Sequence, residues 1–220
     1  MGAPTKGYKG AAMEGVIAKW YAKSTAKSMD DYKADARRAA ALLPPEAAVL
    51  EVAPGPGYFS IELRKMGAYH VTGLDISKSF VEMAQRHAAQ AAVRAEFRLG
   101  SASSMPFAAN EFDFVFCRAA FKNFSEPVRA LEEMYRVLKP GGRAWIIDLR
   151  RDASPKLINE EVRRMGLGFF SALLTRMAFR FSLLKRAYTK RDFEELLAQT
   201  PFHSGRIDEA GMGMNIWLEK

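Results

Sequence analysis

The residues best spaced for chemistry in this chain are two acids and the glycine-rich turn between them. Glu51 sits inside the short apolar run Ala48–Val52. The run turns at once through Ala53-Pro54-Gly55-Pro56-Gly57 and continues as Tyr58-Phe59-Ser60. A short apolar run bounded by a turn reads as a buried parallel strand. The alternation of glycine and proline excludes a regular element at 53–57 and imposes a tight turn. Ile61, Leu63 and Met66 then carry helical spacing. Strand, glycine turn and helix N-terminus together aim backbone N–H groups at a ligand. The dinucleotide fingerprint G-x-G-x-x-G asks for a third glycine where Ser60 stands, which argues against NAD. Asp75 closes the next apolar run, His70–Asp75. An acid there can accept both hydroxyls of a ribose, or it can serve as a loop or capping acid.

Other titratable groups are sparse. Asp148 ends the run Arg143–Leu149, where ligands gather in open parallel sheets. It can act as a base, orient an acceptor, or pair with Arg150 or Arg151. His70, His87 and His203 lack metal-ligand spacing and read as structural or solvated. Cys117, the single cysteine, reads as a packed small hydrophobe inside a strand. One cysteine excludes an internal disulfide and a cysteine-cluster metal site, and suits a reducing cytoplasm. No metal site is expected.

These groups need a scaffold, and the hydrophobic pattern supplies one. Strands are expected at 48–53, 70–75, 94–99, 112–118 and 143–149. Helices are expected at 58–66, 77–92 and 127–138, with Ser77 as a cap and Lys139-Pro140-Gly141-Gly142 as a stop. Strands alternating with helices imply a doubly wound, mostly parallel sheet covered on both faces. Beyond Arg151 the pattern is helical over 155–186, with a break near Gly166 or Gly168. A helix over 189–199, capped by Thr189, and two closing strands at 206–208 and 213–218 complete an α/β sheet of seven strands, the last antiparallel. At the N-terminus, 1–12 reads as loose, 13–23 as a short helix, and 30–43 as an Asp-capped helix stopped by Pro44-Pro45. The chain reads as one domain over 1–220: a helical lid at 1–44, a ligand-binding core at 45–151, a helical cap at 152–188, and a closing helix and strands at 189–220.

The chain has 220 residues and a formal charge of +8, from 33 basic and 25 acidic residues. The basic residues gather in the N-terminal arm and between Arg150 and Arg191. An excess of that sign favours anionic partners or simply keeps a surface solvated. No N-terminal apolar run resembles a signal peptide, and no uncharged apolar stretch is long enough to span a bilayer.

Met105-Pro106-Phe107, Glu111-Phe112-Asp113 and Tyr135-Arg-Val-Leu-Lys-Pro-Gly-Gly-Arg143 follow the turn in that order. The series resembles the class I S-adenosylmethionine-dependent methyltransferases over about residues 46 to 150. It is similar to their type 11 small-molecule group and, within it, to the ubiquinone/menaquinone C-methyltransferases. The resemblance implies a Rossmann-like methyltransferase fold that binds S-adenosylmethionine and releases S-adenosylhomocysteine. It places Glu51 and the turn Ala53, Pro54, Gly55 and Gly57, with Tyr58 beside them, at the aminoacyl and sulfonium end of the cofactor. It places Asp75 on the ribose, Ile76 on the adenine face, and the Arg118 backbone beside the methionine part. Where the family carries an acid at the adenine amine this chain has Ser101, leaving Ser101 and the Ala102 backbone as contacts. Methyl transfer from a sulfonium is an in-line displacement that needs mainly proximity and exclusion of water.

The acceptor is expected to be a small molecule, apolar or aromatic, held by three segments above the strand ends. The N-terminal lid offers Trp20 and Lys27, with Tyr21 touching the cofactor. The loop after the fourth strand offers Phe121, Lys122 and Asn123. The third segment is 166–187, whose aromatic stripe includes Phe170. That stripe either covers the domain's own pocket or meets an anionic membrane surface or lipophilic acceptor. Nucleic acid is not favoured, since no RNA-binding motif accompanies the charge. An NAD-dependent oxidoreductase and a non-catalytic S-adenosylmethionine-binding protein are the alternative readings.

Overall fold

The structure is a computed structural model that describes residues 7–9, 13–166 and 168–220. Apart from 7–9, the loose stretch expected at 1–12 lies outside the described residues. Seven strands form one sheet in the order β3-β2-β1-β4-β5-β7-β6. They are β1 (Ala48–Val52), β2 (His70–Asp75), β3 (Glu96–Leu99), β4 (Phe112–Arg118), β5 (Leu138–Leu149), β6 (Arg206–Ala210) and β7 (Gly213–Glu219). The first five run parallel, and β7 inserts antiparallel between β5 and β6.

The central strands alternate their side chains between two covered faces, while the edge strands β3 and β6 are mostly exposed. On one face Val49, Phe114, Phe116 and Trp145 pack against Ala36 and Ala39 of α2 (Met29–Ala40) and Phe59 and Leu63 of α3 (Tyr58–Arg64). On the other, Leu50, Val115, Cys117 and Ile146 meet α5 (Pro127–Val137) and α9 (Lys190–Leu197). The period-two pattern puts Glu51 on the α3 face, with Val49. An aromatic row crosses that face: Phe116 stacks on Phe59, leans on Trp145 at 5.1 Å, and Trp145 stacks on Trp217 of β7 at 4.5 Å. The Arg38 guanidinium covers both tryptophans at 4.9 Å.

Several boundaries depart from the sequence reading for visible reasons. Helix α2 begins at Met29 after Ser28, not at an Asp30 cap, and Ser28 makes no capping side-chain bond. The Lys139–Gly142 segment does not simply stop α5. It bulges within β5, so that Leu138 faces Phe112 and Arg143 faces Phe114. Lys139 Nζ is held there at 2.8 Å by Asp113 Oδ2, which also accepts from the Ala48 N–H. The expected long helix after 155 is α6 (Pro155–Arg164), then α7 (Phe169–Ala178), a π-helical turn at Phe179–Leu183, and α8 (Leu184–Arg186). Gly166, at φ 60°, makes the break. Ser77 caps α4 (Lys78–Gln90) through the Phe80 N–H, and Thr189 forms a capping box with Asp192 on α9, both as expected.

Two glycines let the turn sit close to the sheet. Gly57 has φ +80° and a Cβ there would lie 2.9 Å from Ala84 Cβ. A Cβ on Gly73 in β2 would lie 2.5 Å from the Phe97 ring and 2.9 Å from Pro54 Cγ. Gly73→Ala should therefore lower stability by about 1–3 kcal/mol, the usual cost of overpacking. Chemical denaturation reads this, and wild-type stability in the variant would contradict the packing described.

Candidate functional site

The strand order reverses between β1 and β4, and the crevice outside their carboxyl ends is where open parallel sheets bind ligands. The backbone there is strained on both sides. Ala53 after β1 and Ala119 after β4 both have φ 57°, a left-handed conformation that costs a non-glycine residue about 1 kcal/mol or more. Each is fixed by a bond across the sheet: Ala53 N–H donates to Leu74 O at 2.8 Å, and Ala119 N–H to Ile147 O at 2.7 Å.

Glu51 is buried beneath the turn. Its Oε2 accepts from the Ser60 N–H at 3.0 Å and the Ser60 hydroxyl at 2.5 Å. Ser60 lies in the first turn of α3, so the strand acid serves a helix N-terminus on the face to which alternation directs it. Ser60 was read from sequence only as a missing glycine. Its work is to hold Glu51, and an acid in a strand followed by a hydroxyl in the next helix's first turn was the available signal. Burial raises the Glu51 carboxyl to about 8, against the lowering effect of the Ser60 bonds. A buried acid kept neutral at pH 7 is poised to ionise when a cation arrives.

Asp75 is buried at the end of β2. Oδ2 accepts from the Gly55 N–H at 3.0 Å and Oδ1 from the Ser77 N–H at 2.9 Å. Burial again raises its pKa, to about 6. It thus fixes the turn and the start of α4 while keeping a carboxylate at the crevice. Next to it, Ile76 Cδ1 and Ser101 Oγ lie 3.1 and 2.9 Å from where a Cβ on Gly7 would stand. Residues 7–9 are a strap across this edge. The Lys9 N–H donates to Asn123 O, and the Ser125 N–H to Gly7 O. Ser101 Oγ pairs with Ser103 Oγ at 3.0 Å, while Ala102 packs on the main core.

A helix roofs the turn. In α1 (Gly15–Thr25), Ala18 and Ala22 pack on Phe80 and Met83 of α4. Glu14 accepts from the Lys78 and Ser79 N–H groups, so it caps α4 from outside. Tyr21 reaches the turn: its Cε1 is 4.0 Å from the Cβ position of Gly55. Burial pushes its hydroxyl up to about 12, so at neutral pH it can donate a proton in a hydrogen bond but cannot carry charge.

Other expected site residues are engaged elsewhere. The Tyr58 hydroxyl donates to Ala22 O at 3.2 Å and its ring stacks on His87 at 5.6 Å, so its side chain anchors α1 and does not face the crevice. His87 is no free surface histidine: Nδ1 lies 2.9 Å from Pro56 O. The Arg118 side chain turns to Asp35 and Asp31 and lies over the Tyr32 ring, leaving only its backbone at the end of β4.

The acceptor assignments need the largest correction. Asp148 pairs with Lys122, not with Arg150 or Arg151. Oδ1 accepts from Lys122 Nζ at 2.8 Å and from the Leu149 N–H, and Oδ2 from the Lys122 N–H. A carboxylate so fully donated to is a structural anchor, not a free base. Lys122, buried like its partner, also donates to Ala119 O, bracing the strained residue. Phe121 is fully buried among Phe124, Tyr188 and Phe193, because the loop turns inward after Ala119. Asn123 meets the strap through its carbonyl. Trp20 is 69 % and Phe170 77 % exposed, so neither lines the crevice, and the stripe on α7 does not cover the domain's own pocket.

Comparison with known proteins agrees with this geometry. Residues 50–146 match the family described as "Methyltransferase domain". The chain is 32 % identical over 143 residues to a demethylmenaquinone methyltransferase of Chlorobaculum parvum, covering 65 % of this chain and 56 % of that protein. The chain spans about half the length of the curated relatives it matches, 56 % and 44 % for two of them. Among solved structures, a SAM-dependent methyltransferase from Aquifex aeolicus superposes with TM-score 0.63 at 22 % identity, over 80 % of this chain and 84 % of that one. A Methanococcus maripaludis protein assigned to the S-adenosyl-L-methionine-dependent methyltransferases gives 0.76 at 20 % identity, over 96 % and 95 %.

Two stability measurements check the site. An acid of raised pKa holds its proton in the fold while the unfolded chain releases it, so Glu51 makes stability fall as pH rises from 4.5 to about 8. Glu51→Gln should flatten that segment of the stability–pH curve; an unchanged slope would place the carboxyl in water. Lys122→Met strands a buried charge and should cost about 3–5 kcal/mol, read as a lowered denaturation midpoint, whereas a neutral result would mean that Asp148 is solvated. The crevice between β1 and β4 thus lies within residues 50–146, the stretch that is similar to the methyltransferase-domain family, on a fold shared with the two solved structures.

Proposed function

We propose that this chain binds S-adenosylmethionine at the carboxyl ends of β1 and β2 and methylates a small apolar or aromatic acceptor. The observation that carries this is the pair of buried carboxylates, Glu51 and Asp75, flanking a left-handed turn beside the switch point. These residues fit the cofactor. Asp75 offers acceptors to ribose hydroxyls, Glu51 an ionisable neighbour to the cationic aminoacyl end, Ile76 an apolar wall and Ser101 a hydroxyl. Among the described residues, Tyr21 alone stands opposite Gly55.

When bound, S-adenosylmethionine supplies an electrophilic methyl group on sulfur. The chain's part is to bind, orient and exclude water. Tyr21 and the strap at 7–9 close the crevice from above. Of the groups weighed as bases, Asp148 is paired, His87 is bonded to the turn, and Tyr21 is neutral. An acceptor that carries its own nucleophile, as an ionisable phenol or quinol does, suits such a site. The demethylmenaquinone methyltransferase name of a relative points to the same acceptor class. Ser60 bound to Glu51, in place of a packing glycine, speaks against NAD.

Titration calorimetry should show S-adenosylmethionine binding with proton release at pH 7 that disappears in Glu51→Gln. Asp75→Ala should weaken binding about tenfold or more through loss of charge-assisted hydrogen bonds. Undiminished affinity in Asp75→Ala would remove the ribose role. S-adenosylhomocysteine release across quinol, phenol, amine and thiol acceptors identifies the acceptor class; turnover with amines alone would overturn the aromatic reading.

A further inference from the structure

Helix α7 and the turn after it carry an apolar surface that no other described residue covers. Phe169 and Phe170 are 77 % exposed, Leu174 67 % and Phe181 57 %. They follow helical spacing and share one broad face, while Ala172 and Phe179 turn inward to the small core beneath. Between 168 and 187 the chain has four basic residues, Arg176, Arg180, Lys185 and Arg186, and no acid.

A cavity of about 290 Å³ opens between α6 and the α7–α8 segment. Buried Ile158 and Leu184 line it together with the cations Arg151, Arg180 and Lys185. Arg151 spends part of its charge on Asp192 at 2.6 Å; no ion pair to Arg180 or Lys185 is found among the described residues. An apolar stripe beside a cationic cavity matches a molecule with an anionic head and a hydrocarbon body.

A second patch stands close by. Val16 and Trp20 on α1 are 82 % and 69 % exposed, flanked by Lys19 and Lys23. Arg164, at the end of α6, bonds to Asp31 at the start of α2, which ties the α6–α7 corner to the α1–α2 corner. Both apolar patches are therefore basic and belong to neighbouring corners of the fold.

We propose that the α7–α8 segment is a docking surface for anionic phospholipid bilayers, with Phe169, Phe170, Leu174 and Phe181 entering the interface and Arg180 and Lys185 receiving lipid phosphate. Interfacial helices combine these features, and attraction to anionic lipid adds to burial of the apolar face. A second copy of this chain is the weaker occupant, since it would set four cations against four without an acid between them. No helix of the described residues is long and apolar enough to cross a membrane, so the contact lies in the membrane surface.

Co-sedimentation of the whole chain with phosphatidylglycerol–phosphatidylcholine vesicles and with pure phosphatidylcholine vesicles tests this, with sedimentation velocity run in parallel. The expected result is binding at least about tenfold tighter to the anionic vesicles, weakened by salt. Phe170→Asp should abolish it, and the double reversal Arg180→Glu with Lys185→Glu should remove the preference for anionic lipid. Both sets of positions are exposed, and unchanged thermal unfolding verifies that the variants fold. Equal binding to both vesicle types, no binding to either, binding unaltered in the variants, or saturation by inorganic phosphate alone would each overturn the proposal. So would a dimer dispersed by Phe170→Asp without vesicle binding.

Discussion

Two carboxylates taken out of water hold the active end of this sheet in shape. Glu51 and Asp75 each accept backbone N–H groups that a tight turn and a helix start would otherwise leave unpaired. Together with the Ala53 N–H bond to Leu74 O they hold a turn in which Ala53, Gly55 and Gly57 are all left-handed. The same burial that makes the acids good clamps raises their proton affinity. Structure and ligand chemistry thus share one pair of side chains. A neutral acid is a tolerable burial while the crevice holds no cation, and an ionised one is favoured once a positive group approaches.

A second clamp mirrors the first across the switch point. Lys122 and Asp148 are buried as a pair, and Lys122 also braces Ala119. The crevice is therefore bounded by strained backbone after two strands, Ala53 fixed by its bond to Leu74 O and Ala119 braced by the buried Lys122. Over it lie α1 and the strap, which is fixed at both ends: Arg186 donates to Lys9 O, Lys9 to the Tyr188 hydroxyl, and the 123–125 loop pairs with residues 7–9. The helical cap and the N-terminal arm meet in those few bonds.

The sheet was legible because its strands are apolar runs of fixed length separated by glycine and proline turns. The placement of Glu51, Asp75 and the turn at the strand ends was legible because glycine and proline fix where the strands stop. The motif residues from Met105 to Arg143 carried the family resemblance, yet their observed work is scaffolding. Glu133 and Arg136 hold the 105–107 loop through its backbone, and Asp113 holds Lys139. The acceptor residues were not legible, for a physical reason. Whether Phe121 or Phe170 turns inward depends on the left-handed kink at Ala119 and the break at Gly166, and single-chain periodicity fixes neither direction. Lys122 was misread because a lysine in a loop is ordinarily solvated, and its acid partner stands 26 positions away.

The late insertion of β7 has a consequence for how the chain reaches this state. Strand β5 ends the run of parallel strands on one side, and among the described residues its outer edge is covered by residues 213–219, through seven paired positions from Arg143–Glu219 to Leu149–Gly213. During synthesis, β5 is made well before its cover and carries Trp145 and Ile146 on an open edge until then. An uncovered apolar edge strand is a template for pairing with another chain. Chain ends falling between residues 151 and 213 should thus be felt as insolubility of the whole protein, although the strands that bound the crevice would still be present.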